Sequence, residues 1–369
     1  MKTLCLIVSL CCAVLTTYAQ DSSLVRERIN RASTVKDQQS TGTCWCFGPT
    51  SMVESENIRK GYSVPDISEM YTVRNIYLEK AKNYVLRQGK AQFDEGGLGH
   101  DAINAMGRYG MVPAKLYTGL VPGRTFLSHG RMQGYLKNYL DSILKLRPPI
   151  PTNWIDGFTT ILNTYMGEPP ASFEYNGKTY TPLTFAKEVM KFNADDYVYL
   201  TSFSHHPFYK SFIIEVPDNY SNGSYYNLPL QDLLDIAKTT INKGYTISWD
   251  ADVSNRGWNP GNGFAMEPVV DTALFAKTID QDMPEKVITQ ESRQRLFEDL
   301  VTQDDHLMHI TGIGYSPKGR IFFIVKNSWG LYGPFHGYQN VSEAYFANNT
   351  ISIVVPKAAL DKKWKALLK

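Results

Sequence analysis

Residues 38–47 read Gln-Gln-Ser-Thr-Gly-Thr-Cys-Trp-Cys-Phe, and they place a thiol at the start of a predicted helix. Gly42 permits a tight turn, and the apolar spacing after Cys44 predicts a helix that ends just before Gly61. A helix N-terminus lowers the pKa of a thiol, and the thiolate is the nucleophilic form. Cys44 is therefore a candidate nucleophile, although a lone cysteine is more often a small buried apolar residue.

The side chain of Gln38, six residues before Cys44, carries an amide. This amide can donate a hydrogen bond to an oxyanion that forms near the sulfur. Cys46 follows two residues after Cys44, and we expect it to pack inside the helix. A redox role for the pair is a weaker alternative, because the spacing is not Cys-x-x-Cys.

The first nineteen residues have the pattern of a secretory signal peptide. Lys2 supplies a basic start, residues 4–15 form an apolar run, and Ala19 ends a segment of the kind that signal peptidases cleave. The apolar run is too short to span a bilayer. We therefore expect a signal peptide at 1–19, export to the periplasm or the extracellular space, and no stable membrane insertion.

Removal of residues 1–19 would leave Cys44 and Cys46 as the remaining cysteines, which are too close for a structural disulfide. Two sulfurs without a nearby histidine pair do not form a tetrahedral zinc site. The His205-His206 pair has no carboxylate or cysteine at ligand spacing. The sequence therefore predicts no metal site and no cofactor.

Charge gives little information about partners, since 38 Lys and Arg balance 36 Asp and Glu in the 369 residues. No basic run with interleaved aromatic residues is present, so a nucleic-acid partner is not expected.

Periodicity and proline positions suggest one α+β unit at 20–369, with a Cys-bearing helical part, a helical insertion and a β-rich part. We place these parts at about 20–113, 114–192 and 193–369.

Within these parts, residues 197–216 and 246–250 read as strands, and residues 230–241 between them read as an amphipathic helix. A second helix is expected over 67–86 and a third over 290–300. The polar lead-in at 20–36 is expected to hold a short helix around residues 24–29.

Residues 305–330 read as two β-rich runs around a Ser-Pro-Lys-Gly turn, which predicts a hairpin. If residues 316 and 319 close that turn, position 308 faces Asn327, and His306 lies on the same side of the strand as position 308. His306 and Asn327 are then diagonal neighbours on one face. One extra residue in the turn would select His309 instead, so the geometry leaves both histidines open.

A cysteine, a histidine and an amide side chain that accepts from the imidazole form a set of nucleophile, base and orienting group. Asn327 would hold His306 in the tautomer that faces the sulfur of Cys44. Trp329 could shield this hydrogen bond from water and so strengthen it. These residues predict acyl-transfer chemistry at a thiol.

Together, the block at 38–47, His306-Leu307-Met308 and Asn327-Ser328-Trp329-Gly330 resemble the papain-like cysteine peptidases. The resemblance is closer to the bleomycin hydrolase and aminopeptidase C branch, through Glu95-Gly96-Gly97 and the Tyr-Gly-Met-Val-Pro motif at 109–113. It implies a papain-like fold, with a helical domain led by the Cys helix, an antiparallel β domain carrying His and Asn, and a large helical insertion.

The resemblance also implies roles for individual residues. His306 would be the base rather than His309, Gln38 the oxyanion donor, and Gly96 and Gly97 the backbone that binds substrate. Trp45 and Trp329 are further candidates for substrate contact. Members of the branch form hexamers and commonly carry a C-terminal tail in the cleft, whereas here residues 364–369 close a predicted helix.

The sequence therefore predicts an exported cysteine peptidase of the aminopeptidase type that acts on peptide substrates through Cys44, His306, Asn327 and Gln38. An endopeptidase of the same fold and an inactive papain-like binding protein are the alternatives. An acyltransferase could use the same residues, since transfer and hydrolysis differ in the acceptor that reaches the acyl-enzyme.

Overall fold

The structure is a computed structural model, and it describes residues 24–62, 65–269 and 280–367. The predicted signal peptide at 1–19 lies outside the described residues. Among the described helices, none combines the length and apolar character that crossing a bilayer requires. The α-helices are α1 (Cys44–Arg59), α2 (Glu69–Leu86), α3 (Gly99–Tyr109), α4 (Gly130–Leu144), α5 (Trp154–Met166), α6 (Pro182–Glu188), α7 (Leu230–Asn242), α8 (Gln290–Glu298), α9 (Glu343–Asn349) and α10 (Lys362–Leu367).

The strands form one large sheet and one small hairpin. They are β1 (Arg26–Ile29), β2 (Phe173–Tyr175), β3 (Lys178–Tyr180), β4 (Tyr197–Thr201), β5 (Ser211–Ile213), β6 (Ser224–Asn227), β7 (Ile247–Ala251), β8 (Trp258–Asn259), β9 (Phe264–Ala265), β10 (His306–Tyr315), β11 (Ile321–Lys326), β12 (Tyr338–Ser342) and β13 (Thr350–Pro356). The sheet runs β5-β6-β4-β13-β7-β10-β11-β12-β9-β8, and β1 also pairs with β10. Most pairings are antiparallel, so the α+β class is confirmed.

Two apolar cores lie on opposite faces of the central strands, because neighbouring side chains on a strand alternate between faces. Leu307 and Val354 belong to the core beneath α1, α2 and α3, whereas Met308 and Ile353 belong to the core covered by α7. The segment 114–192 holds α4, α5, α6 and the β2-β3 hairpin. Its apolar side chains join the first core, so this segment packs directly against the helices around α1.

The helix predicted around residues 24–29 is wrong, since residues 26–29 form β1 and pair with residues 312–315 of β10. Beyond Ile310, the edge of β10 that faces β7 has no partner in β7. β1 supplies the backbone hydrogen-bond partners there, because an unpaired strand edge favours pairing with a further strand. The tertiary context therefore overrides the weak local helical pattern.

The hairpin of β10 and β11 reaches the predicted pairing by a different route. The turn is one residue longer than expected, because the amide of Ser316 donates to the carbonyl of Arg320 at 2.9 Å. A bulge between Ile310 and Gly312 then shifts the register back, and His309 faces Lys326. The two deviations cancel, so the pairing near His306 is the one that the sequence predicts.

Helix α1 lies against β10 at very short range. All its residues from Cys44 to Asn57 are buried, and a Cβ placed on Gly48 would meet the carbonyl oxygen of Met308 at 2.9 Å. Only glycine allows this approach of helix and strand backbones. The contact sets the distance between the element that carries the thiol and the strand that begins with His306.

We expect Gly48→Ala to lower the urea midpoint of unfolding. Overpacking costs about 1–3 kcal/mol, which exceeds the gain of about 1 kcal/mol from replacing a helical glycine. Gly134→Ala in α4 is the matched control, because its Cβ would meet nothing within 4 Å. We expect the control to raise the midpoint. Equal midpoints for the two variants would contradict the proposed contact.

Candidate active site

Cys44 is the first residue of α1, and the Thr43 side chain makes no capping hydrogen bond there. The first amides of a helix lack intrahelical acceptors and favour negative charge nearby. Cys44 as a residue is 9% exposed, and the backbone amide of Leu307 donates towards its sulfur. Cys44 therefore lies beside the residue that follows His306.

His306 and Asn327 are joined by a hydrogen bond of 2.7 Å between Nε2 and Oδ1. The same Oδ1 also accepts from the backbone amide of Ser328 at 2.7 Å, which fixes the orientation of the amide group. Because an Oδ1 atom can only accept, Nε2 of His306 carries the proton in the neutral ring. Nδ1 is then the basic nitrogen.

The indole ring of Trp329 stacks on the imidazole of His306, with ring centroids 4.6 Å apart and planes inclined by 27°. Trp258 contacts Trp329 edge to face at 6.5 Å. Trp329 is itself partly exposed. The stack covers one face of the imidazole and leaves part of the indole accessible to a ligand.

His309 points to the opposite face of β10. Its Nδ1 lies 2.8 Å from the Oγ of Ser51 in α1, and Lys326 donates to the same Oγ at 2.7 Å. Burial holds the pKa of His309 well below its usual value, and the charge of Lys326 lowers it further. His309 is thus part of a buried polar network away from Asn327.

Gln38 is buried and held at both ends of its side-chain amide. Ser328 Oγ donates to Oε1 at 2.6 Å, and Nε2 donates to the carbonyl of Thr41 at 2.7 Å. The backbone amide of Gln38 also donates to the carbonyl of Ser328 at 2.8 Å. These bonds leave the second hydrogen of Nε2 available for a ligand. Because Ser328 follows Asn327 directly, its bonds to Gln38 fix the position of this donor relative to Asn327.

Burial favours the neutral forms of both the thiol and the imidazole. It raises the pKa of Cys44 to about 12, an effect that the Leu307 amide opposes and that Asp304, Asp250 and Asp218 increase. Burial also lowers the pKa of His306 to about 4, although the hydrogen bond that His306 donates to Asn327 acts in the opposite direction. The thiol therefore keeps its proton in the unliganded cleft, and the imidazole is free to accept it.

Gly96 and Gly97 line a cleft with a volume of about 700 Å³, together with Cys44. Trp45 is fully buried, and a Cβ on Gly97 would lie 3.0 Å from its ring. Its Nε1 donates to the carbonyl of Glu95 at 2.8 Å. Trp45 thus supports the glycine segment, and it belongs with Gly96 and Gly97 to the lining of the cleft.

Comparison with known proteins agrees with this arrangement. The profile of the Peptidase C1-like family matches residues 152–369, more than half of the chain and a range that includes His306 and Asn327. The chain belongs to the Peptidase C1-like family. It is a papain-like cysteine peptidase of the bleomycin hydrolase and aminopeptidase C branch.

Relatives of this Peptidase C1-like chain include aminopeptidase G of Lactobacillus delbrueckii subsp. lactis, 24% identical over 90% of this chain and 83% of the relative. Bleomycin hydrolase of Gallus gallus is 22% identical over 88% and 80% of the two chains. The crystal structure of PepW from Lactobacillus rhamnosis HN001 matches with a TM-score of 0.70 at 19% identity, over 94% of this chain and 85% of that one. This structural match shows the shared fold.

Three carboxyl groups near the thiol of this Peptidase C1-like chain were missed by the sequence analysis. Asp218 and Asp304 line the same cleft as Cys44, and Asp250 is 1% exposed in the middle of the sheet. Two signals were available. Asp250 is an acidic residue at the end of the predicted strand 246–250, and Asp304 stands two residues before His306.

The expectation that no carboxylate lies near the His205-His206 pair is wrong. Glu215 follows β5, and its carboxylate contacts both histidines. Oε2 lies 3.1 Å from Nε2 of His205, and Oε1 lies 2.6 Å from Nε2 of His206. The spacing argument missed it because β5 brings residues nine and ten positions apart together. Gln294 Nε2 lies 2.9 Å from Nδ1 of His205, which makes Nε2 of this ring the protonated donor to Glu215.

Proposed function

We propose that this chain is an exported cysteine aminopeptidase that hydrolyses peptide bonds through Cys44, His306 and Asn327. The observation that carries the proposal is the hydrogen bond from His306 to Asn327 under Trp329, with the sulfur of Cys44 at the amide of Leu307. The printed names of the relatives, among them aminopeptidases G, W and C, support the aminopeptidase type. Export rests on the pattern of residues 1–19.

In the first half of the reaction, the sulfur of Cys44 attacks the scissile carbonyl carbon while Nδ1 of His306 takes the thiol proton. The carbonyl oxygen becomes an oxyanion, which the free hydrogen of Gln38 Nε2 and the first amide of α1 can bind. His306 then gives the proton to the leaving amine. The products are a thioester at Cys44 and a shortened peptide.

In the second half, His306 takes a proton from water, and the resulting hydroxide attacks the thioester carbonyl. The carbon–sulfur bond breaks, and the proton returns to the thiolate of Cys44. Asn327 holds the ring in the same tautomer during both halves, since its Oδ1 accepts from Nε2 throughout. Gly96 and Gly97 offer backbone groups on the other side of the cleft.

The proposal is tested with a peptide carrying a free N-terminus and its N-acetylated twin, followed by mass spectrometry. We expect stepwise removal of N-terminal residues from the free peptide, little cleavage of the twin, and stoichiometric labelling of Cys44 by a thiol-directed epoxide. Internal cleavage of both peptides would favour an endopeptidase. Absence of both turnover and labelling would support an inactive binding protein.

A further inference from the structure

A recess beside Cys44 collects three carboxyl groups from separate parts of the chain. Asp250 lies on β7, Asp304 precedes β10 by two residues, and Asp218 lies in the loop between β5 and β6. All three charges act on the thiol of Cys44. We call this group of three the acidic recess.

Asp250 is the buried member of the acidic recess. Its neighbours across the sheet are Leu307 on β10 and Ser352 on β13, so it lies one strand from the amide that contacts Cys44. Ser352 Oγ donates to Oδ2 at 3.1 Å. Besides Ser352, the side chain in hydrogen-bond contact with Asp250 among the described residues is Asp304, and a bond between two carboxyl groups needs a proton on one of them.

Asp304 connects Asp250 to the cleft. Its side chain lines the cleft, and its carboxyl interacts directly with that of Asp250. Its Oδ2 is also buried without a protein donor in the described part of the chain. Two adjacent carboxyls can share one proton, but they cannot both ionise cheaply without a cation.

Among the described residues, the acidic recess has no lysine or arginine in direct ion-pair contact. Lys80 is the cation that acts on Asp218, but its Nζ is used at 2.5 Å by the carbonyls of Asp94 and Gly96. Burial raises the pKa of both Asp250 and Asp304, so this carboxyl pair keeps a proton unless a cation binds to it.

A bound peptide can bring that partner to the correct place. The amino nitrogen of a peptide's first residue lies two bonds, about 2.5 Å, from the carbonyl carbon that the sulfur attacks. When this carbon is at Cys44, the nitrogen must lie within a few ångströms of the thiol. Asp218, Asp304, Gly96 and Gly97 line the same cleft as Cys44.

We propose that the acidic recess binds one ammonium group of the peptide substrate. Asp304 and Asp218 contact the ammonium group, and Asp250 interacts with it indirectly, through its contact with Asp304. The inference rests on the proposed function and deepens it by naming the group that is recognised. An ammonium at this position also offsets the negative charge that disfavours the thiolate of Cys44. Substrate binding and activation of the nucleophile are thereby coupled.

The test compares Asp304→Asn with Asp299→Asn, a change at an exposed aspartate after α8. The first substrate pair is a fluorogenic aminoacyl amide and its N-acetyl twin. The second pair is an N-acetyl dipeptide amide with lysine or with norleucine before the scissile residue. Lysine and norleucine have similar chains, but only lysine carries an ammonium group.

For Asp304→Asn, we expect kcat/KM on the free-amine substrate to fall about 10- to 100-fold, mainly through KM, since a charge-assisted hydrogen bond is lost. Activity of Asp304→Asn on the acetylated twin should not fall, and Asp299→Asn, at an exposed charge, should change kcat/KM less than about twofold on either substrate. A selective loss confined to the lysine peptide would place a side-chain ammonium in the recess. Equal losses on all four substrates would overturn the inference.

Failure of the inference can be separated from failure of the proposed function. Epoxide labelling of Cys44 reports the thiol without an ammonium group on the substrate, and Asp304→Asn should be labelled at least as fast as the wild type, because the variant loses a charge that raises the pKa of Cys44. If the wild type shows neither labelling nor turnover, the proposed function fails, and the inference fails with it. If the wild type prefers the free-amine substrate and Asp304→Asn keeps that preference, only the inference is overturned.

Asp250→Asn is a second test of the inference, and it is measured by protein stability as well as by substrate specificity. Burial raises the pKa of Asp250 to about 7, so the folded state holds this proton more tightly than the unfolded state. The resulting stabilisation is present at low pH and is lost as the pH rises through about 7. The variant should therefore exceed the wild type in urea midpoint at pH 8, with a smaller difference at pH 4.5.

In Asp250→Asn, the ratio of kcat/KM on the free-amine substrate to that on the acetylated twin should also fall. A purely structural carboxyl would not give higher stability together with selectively lower kcat/KM on the free-amine substrate. A lower urea midpoint at pH 8 with equal activity losses on all substrates would overturn the inference.

Discussion

Replacing Cys44 with Ala is expected to lower peptide hydrolysis at least about 10,000-fold, the scale seen when a covalent nucleophile is removed. Without the sulfur no thioester can form, and His306 has no thiol from which to take a proton. Cys44 packs at the edge of the cleft, so the far-ultraviolet circular dichroism spectrum should not change. The measurement is kcat/KM on the free-amine substrate.

Cys46→Ala is the matched control for this experiment. Cys46 is fully buried, and its sulfur contacts the carbonyl of Glu69 at 3.4 Å. Burial raises the pKa of Cys46 even further than that of Cys44, so it stays a neutral thiol. We expect the control to retain activity per folded molecule, and a similar loss in both variants would contradict the assignment of Cys44.

His306→Gln and His309→Gln should have opposite consequences. Glutamine at 306 cannot accept a proton from the thiol, so kcat should fall about 100- to 10,000-fold. Glutamine at 309 should disturb the buried contact with Ser51, and it should lower the melting temperature while leaving kcat per folded molecule nearly intact. The pair of variants therefore separates the base from a structural histidine on the same strand.

The two readouts are kcat with saturating free-amine peptide and the midpoint of thermal unfolding. The prediction would be wrong if His309→Gln abolished turnover in molecules that remain folded. It would also be wrong if His306→Gln retained more than about a tenth of the wild-type kcat, because general-base catalysis contributes at least about 100-fold.

The start of α1 and the pairing of β10 with β11 could be predicted because each has a strong local pattern. Cys44 follows a glycine turn and precedes helical spacing, and the region 305–330 alternates around a turn. The route to the pairing could not be predicted. A longer turn and a bulge after Ile310 compensate each other, and neither has a clear signature in the residues themselves.

Other features depend on contacts between distant segments. β1 exists because β10 offers it a free edge, although its own residues suggested a helix. The acidic recess consists of Asp218, Asp250 and Asp304, which lie in three separate parts of the sequence. Local pattern cannot show that these carboxyls meet, because the meeting depends on how β7, β10 and the loop after β5 are arranged.

The close contact of Gly48 with Met308 has a mechanical consequence. The helix that carries the thiol and the strand that begins with the imidazole have no room to slide, so the two reacting groups behave as parts of one rigid body. The facing wall at 94–97 is fastened differently, by the Nζ of Lys80 and by a 2.6 Å bond from Gly42 to Glu95. The reacting pair therefore keeps its alignment when substrates of different bulk bind.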